Sequence, residues 1–298
     1  MHSLIVITGP TGVGKTAVAI EVAQHLGCHI INADSRQVFR GIPIGTAAPT
    51  SEELAIVPHH FVQFKDLDEY YSAAQFETDV MALLPSLWAD GDYAVMCGGS
   101  MMYVDAVCNG IDEIPDISEE VRTAVKRELK ENGIKSLLNE LLRLDPEYYA
   151  QVDRLNPVRV VHAVEVCRQA GVPYSSLRTG TAKQRPFNII KVGLNIEREL
   201  LFDRINRRVD AMIEQGLEEE ARSVYHLRHL NSLNTVGYKE MFALLDGTMD
   251  RTTAIERIKK NTRVYAKKQL RWFRRDPLIT WCQPTNCLNT IINLLKIA

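Results

Sequence analysis

The sequence predicts an α/β fold: a parallel sheet flanked by helices and interrupted by one all-helical insertion. Three observations carry this. Short apolar, β-branched runs alternate with helix-period segments through the first 110 residues, only helical patterns occur from Glu113 to about Asn188, and a strand-like run resumes directly afterwards. The expected boundaries are 1–112 with 189–298 for the sheet-bearing core and 113–188 for the insertion.

SLIVIT, residues 3–8, is an apolar run ending at glycines, and KTAVAIEVAQHLG carries apolar residues at helical spacing up to a stop-like Gly27. HIINAD (29–34) reads as a second buried strand. The segment 72–90 reads as a helix opened by Ser72 and kinked at Pro85. YAVMC (93–97) is a third strand that breaks at Gly98-Gly99 into a helix starting at Ser100. SEEVRTAVKRELKEN, IKSLLNELLRLD and NPVRVVHAVEVCRQAG make the insertion helical, NIIKVGLNI (188–196) returns to a strand, and long helices follow over about 198–230 and 251–275. Strands separated by helices place binding sites at the strands' carboxyl ends.

Composition narrows the class. Of 298 residues, 46% are apolar and 24% charged, values of a folded globular protein rather than a disordered or fibrous one. No 18-residue apolar run is present, and MHSLIVITGP lacks the basic region and cleavage site of a signal peptide. Six singly scattered cysteines fit a reduced, cytoplasmic protein, and neither they nor the histidines show zinc-ligand spacing. The net charge of −2 hides an asymmetry. Arg251 to Arg275 holds ten basic residues and one acid, Glu256, so that segment is +9 and the remainder −11, which points to one anion-binding face.

Gly9-Pro10-Thr11-Gly12-Val13-Gly14-Lys15-Thr16 is a complete GxxxxGKT following a strand and opening a helix, the nucleotide-binding motif of ATP-binding proteins. Its backbone amides curl around phosphate oxygens, Lys15 supplies a cation and the Thr16 hydroxyl is a Mg2+ ligand. The fold expected is therefore P-loop NTPase-like. A nucleotide hydrolase needs a further strand ending in an Asp, but YAVMC runs into Gly98-Gly99-Ser100. Asp34, at the end of HIINAD, is open to three roles: general base, Mg2+ ligand or turn-forming Asp. Gly98-Gly99-Ser100 is either a second anion nest or a structural turn.

From Ile255 to Arg275, Ile255, Ile258, Tyr265 and Trp272 fall on one stripe, and Lys260, Arg263, Lys267, Arg271 and Arg274 on another. This one-sided charge suits a polyanion better than a merely solvated face. Arg204 and Arg208 share a helix face, where salt bridging to Glu214 or Glu218 is the alternative to anion contact.

GPTGVGKT, NADSRQVFRGIPIGTAAPT, PHHFV, YSAAQF, GGSMMY, NPVRVVHAVEV, TVGYKE and TRVYAKKQLRWFR occur in the order seen in tRNA dimethylallyltransferases, and the sequence resembles that family from Gly9 to Arg274. The resemblance implies transfer of a dimethylallyl group from dimethylallyl diphosphate to N6 of adenosine 37 in tRNA, with Mg2+ and without ATP hydrolysis. It implies that Gly9 to Thr16 cradle the donor diphosphate, that Arg204 contacts the leaving diphosphate and that Asp34 is the general base. Ser100 stands where the family usually carries Thr, near the reacting centre. Ser35 and Gln37 belong to the strip meeting the adenosine, while Arg263, Lys267, Lys268 and Arg271 are the expected tRNA contacts on the basic helix. The insertion resembles the part that grips the anticodon stem-loop, and a monomer without membrane attachment is expected. Val13 replaces a small residue, and Met101-Met102-Tyr103 varies on Leu-Tyr. A small-molecule or nucleotide kinase and an RNA-binding module with a vestigial P-loop are the competing readings.

Overall fold

The structure is a computed structural model that describes residues 2–296. Six strands form one sheet: β1 (Ser3–Thr8), β2 (Ile30–Asn32), β3 (His59–His60), β4 (Tyr93–Cys97), β5 (Asn188–Leu194) and β6 (Thr280–Cys282). They lie in the order β3-β2-β4-β1-β5-β6, and every pairing is parallel. The central strand β1 pairs with β4 from Ser3↔Tyr93 to Ile7↔Cys97 and with β5 from Ser3↔Asn188 to Thr8↔Gly193. All six of its residues are buried, as a strand covered on both faces requires.

Alternation along β1 builds two core layers. Leu4 and Val6 pack with Ile31, Met96, Phe76 and Leu84 on one face, and Ile5 and Ile7 with Val95, Val192, Val18 and Val22 on the other. The chain divides into two compact units. One runs up to Cys108 and resumes at Gln184, and the other is Asn109–Lys183. The second unit has its own core of Val125, Leu137, Leu141, Val160 and Val164. Its ends meet, the Lys183 N–H donating to the Asn109 carbonyl at 2.7 Å.

Ser72 does open its helix, Ala73–Leu87, through a capping box with Gln75. Pro85 lies in that helix's last turn, where no kink is needed for the chain to exit soon after. The expected helix over 198–230 is instead Arg198–Glu214 followed by Leu217–Ser223, because Gly216 at φ 98° breaks the helical path. Gly133 at φ 71° likewise separates the first two insertion helices. Strands β3 and β6 and the helix Cys287–Leu295 extend the core beyond the sequence expectation. No helix among the described residues is long and apolar enough to cross a membrane.

Candidate active site

Parallel strands deliver the loops after β1, β2, β4 and β5 to one end of the sheet. The loop after β1 leaves at Gly9, whose φ of 140° and position 2.6 Å (as an added Cβ) from the Leu194 carbonyl leave no place for a side chain. It enters the helix Lys15–Leu26 at Gly14, and no side chain caps that helix's first turn, leaving backbone donors aimed at the loop. Lys15 Nζ donates to the Gly9 and Pro10 carbonyls at 3.1 and 2.9 Å, and burial lowers its pKa to about 8. Val13 is fully buried in the same core layer as Ile205.

Two helices fix this loop from outside. Arg208, on Arg198–Glu214, donates to the Thr11 hydroxyl at 2.6 Å, and Arg204 donates to the Val13 carbonyl at 3.2 Å. The Thr11 N–H donates to Gln269 Oε1 at 2.8 Å. Among the described residues neither Arg204 nor Arg208 forms an ion pair with Glu214 or Glu218, and Glu218 pairs instead with Arg222 and Arg251. Arg208 is the more telling arginine. Its Nε is buried and has no hydrogen-bond partner among the described residues, burial holds its pKa below the ordinary arginine value, and Asp34 acts on it electrostatically.

The loop after β2 bears Asp34. Its Oδ1 accepts the N–H groups of Arg36 and Gln37 at 2.9 and 3.3 Å, so the carboxylate does form a turn. No hydrogen bond engages Oδ2 among the described residues, and one oxygen remains for chemistry. This loop is pressed against the one after β4, where a Cβ on Gly98 would sit 2.1 Å from the Ala33 carbonyl oxygen. Ser100 closes the junction, its hydroxyl accepting the Ser35 N–H at 2.7 Å and donating to Ser35 Oγ at 3.1 Å. Both amide hydrogens of Gln37 go to the carbonyls of Thr46 and Ala47. Glu220 accepts the N–H groups of Ile44 and Gly45 and the Tyr238 hydroxyl, which holds that wall in place.

Thr11, Asp34, Ser35, Ser100 and Arg208 line one pocket of about 320 Å³, with Gly45, Thr46, Thr235, Thr262 and Tyr265. That volume falls in the range of small-molecule sites. Tyr265, which shares a stripe with Ile255, Ile258 and Trp272 in the sequence, is 38% exposed. It lies on the face of the helix Arg251–Phe273 that also carries Ile258 and Thr262 into this pocket.

The basic stripe lies elsewhere. Lys267, Arg271 and Arg274 fall about half a turn away from Tyr265 and Gln269. They line a separate, open groove of about 1390 Å³ with Arg198, Phe202 and Trp281. Arg198 and Lys267 both lie over the Phe202 ring, at 5.2 and 5.3 Å. Lys268 is exposed, and Arg263 donates to the Asn206 side chain. Among the described residues, Lys260, Lys268, Arg271 and Arg274 form no ion pair. Thus the structure gathers Thr11, Asp34, Ser35 and Ser100 but does not bring Gln37, Lys267, Lys268 or Arg271 to the same pocket. Sequence reasoning did not single out Gln269 or Tyr265; of the two arginines on one helix face, Arg208 lines the pocket and Arg204 contacts the Val13 carbonyl. Only the spacing of Gln269 from Ile258 and Thr262 could have signalled its orientation.

Comparison with known proteins gives the family. The family described as IPP transferase matches residues 37–276. tRNA dimethylallyltransferase 2 of Parabacteroides distasonis is 54% identical over 284 residues, 95% of each chain, and tRNA dimethylallyltransferase 1 of Phocaeicola vulgatus is 55% identical over 282, 95% of this chain and 94% of the other. Among solved structures, the tRNA isopentenylpyrophosphate transferase of Bacillus halodurans superposes with a TM-score of 0.73 at 36% identity, covering 99% of this chain and 96% of that one. A eukaryotic dimethylallyltransferase acting on tRNA reaches a TM-score of 0.82 at 27% identity, covering 95% and 74%. With the match spanning most of its length and more than half its residues shared with such relatives, the chain belongs to the IPP transferase family.

Proposed function

We infer that this chain transfers a dimethylallyl group from dimethylallyl diphosphate to N6 of adenosine 37 in tRNA, giving N6-isopentenyladenosine and diphosphate. The observation that carries the reading is the meeting of Asp34, with one oxygen uncommitted, and the Thr11–Arg208 edge of the P-loop in one nucleoside-sized pocket. The amine lone pair is delocalised into the adenine ring, so attack is helped by removal of its proton. N6 forms the new bond to C1 of the dimethylallyl group as the C–O bond to diphosphate breaks, Asp34 Oδ2 takes the N6 proton, and the leaving electron pair stays on diphosphate. Lys15, Arg208 and the loop amides face the charge that develops there, and such donors are worth about 3 kcal/mol each.

The chain's donor set fits Mg2+. Thr16 stands in the first turn of the helix Lys15–Leu26, where no side chain caps the backbone N–H groups, so its hydroxyl and a bound diphosphate would share one corner. Mg2+ accepts such a site because it keeps waters and phosphate oxygens and needs few protein ligands. Held by Thr16, it would neutralise charge on the diphosphate.

The target base must leave its stack, which is cheapest in a single-stranded loop, so the anticodon stem-loop is the substrate region proposed and the insertion its second grip. The basic face of Arg251–Phe273 supplies phosphate contacts outside the pocket. Lys267→Ala is accordingly expected to weaken tRNA binding and to lower the log–log salt slope by about one unit. A slope equal to wild type returns Lys267 to a solvated side chain stacked on Phe202.

A second outcome concerns pH. Lys15 binds diphosphate as the cation, and burial has brought its pKa to about 8. Donor affinity should be full below that value and fall as pH rises through it, which the donor Kd measured against pH reads; a flat profile to pH 9.5 would remove Lys15 from the cradle. The overall reading is tested by mass spectrometry of unmodified tRNA bearing A36-A37-A38, incubated with Mg2+ and dimethylallyl diphosphate, with ATP as control. One dimethylallyl group on A37 with the diphosphate donor alone is expected. Tight tRNA binding without transfer overturns the enzyme, and ATP turnover on a small acceptor revives the kinase.

A further inference from the structure

Resting on that reading, we propose that Gln269 is a positioning residue for the diphosphate cradle, setting the spacing between the P-loop and the loop after β4. Gln269 is 2% exposed and sits near the carboxyl end of the helix Arg251–Phe273. Its carboxamide joins two loops distant in the chain. Oε1 accepts the Thr11 N–H at 2.8 Å and Nε2 donates to the Gly99 carbonyl at 2.9 Å. A Cβ on Gly99 would lie 2.3 Å from Gln269 Nε2 and 3.5 Å from Lys15 Nζ, so amide, loop and ammonium crowd one spot.

The chemistry of this position selects a neutral amide. One backbone donor and one backbone acceptor must be satisfied together, and a carboxamide offers one of each across its plane. A carboxylate would meet the Gly99 carbonyl with a second acceptor, a thioether would satisfy neither, and Asn falls one methylene short. The Gly99 carbonyl and the Gln269 side chain are buried, so leaving that pair unmade is costly, while the Thr11 N–H is only half-buried at the pocket edge. The bridge also removes the Thr11 N–H from the donors open to phosphate, leaving that task to the amides further along the loop. Thr11 is thereby gripped from both sides, by Gln269 on its N–H and by Arg208 on its hydroxyl. The same helix turns Lys267 and Arg271 to the groove on its far side.

The test uses full-length Gln269→Met and the isosteric Gln269→Glu, with inorganic pyrophosphate and Mg2+ as the calorimetric probe and tRNA binding as the reference. Pyrophosphate affinity and donor KM should each worsen about tenfold or more in both variants, while tRNA affinity stays at the wild-type level. In Gln269→Glu the loss should shrink at low pH, where the protonated acid again donates to Gly99. Unchanged pyrophosphate affinity overturns the proposal, as does an equal loss for pyrophosphate and tRNA, the sign of a merely structural residue. If Gln269→Met fails to fold, Gln269→Glu decides by the same criteria. Wild-type protein that binds no pyrophosphate and prenylates no tRNA overturns the functional reading itself, which separates the two failures.

Discussion

Asp34→Asn should lower kcat by about 100-fold or more and leave donor and tRNA affinities close to wild type. The asparagine carbonyl oxygen can replace Oδ1 in the turn, accepting the N–H groups of Arg36 and Gln37, while the oxygen that takes the N6 proton becomes an NH2. Asp34→Ala removes both functions and should add a loss of binding, because the turn that sets Ser35 against Ser100 loses its anchor. Single-turnover prenylation read beside filter binding separates the two substitutions. A near-wild-type rate in Asp34→Asn would leave Asp34 as a turn residue alone.

Arg208→Lys should cost about 100-fold in kcat/KM for the donor, in the range seen when one preorganised donor is removed from developing charge. Lysine keeps the charge but gathers its N–H groups on one compact ammonium, so it lacks the spread fork with which Arg208 can hold the Thr11 hydroxyl and reach the pocket together. The unpartnered, buried Nε of Arg208 is the structural reason to expect this arginine, rather than the exposed Arg204, to meet the leaving diphosphate. Arg204→Lys, whose partner is the Val13 carbonyl on the far side of the loop, serves as the control. Equal losses in the two variants would mean that both arginines merely support the loop.

The sheet was legible because its strands are buried on both faces and so appear as unbroken apolar runs, SLIVIT and YAVMC above all. The short strands were not. His59–His60 has no apolar signature and is held by pairing with β2, and Thr280–Cys282 by pairing with β5, which are tertiary facts. The long helix was read correctly in extent but not in orientation. Periodicity grouped Tyr265 with Ile255, Ile258 and Trp272, whereas packing centres on Ala254, Ile258, Thr262, Ala266, Gln269 and Phe273, a stripe containing two polar residues that hydropathy assigns to water. In the site, Asp34 and the P-loop declared themselves through local sequence. Arg208 was legible only as sharing a helix face with Arg204, and Gln269 not at all, because their partners lie 197 and 258 residues away.

The hydrogen bond between Lys183 and Asn109 gives the helical insertion coincident ends. Its 75 residues, Asn109–Lys183, leave and return at one point, so the entropy of closing that long excursion is borne within the insertion and grows only slowly with its length. Strand β5 can then find its register beside β1 whatever the intervening helices contain. Evolution is left free to lengthen, shorten or exchange this segment without disturbing the register of the sheet.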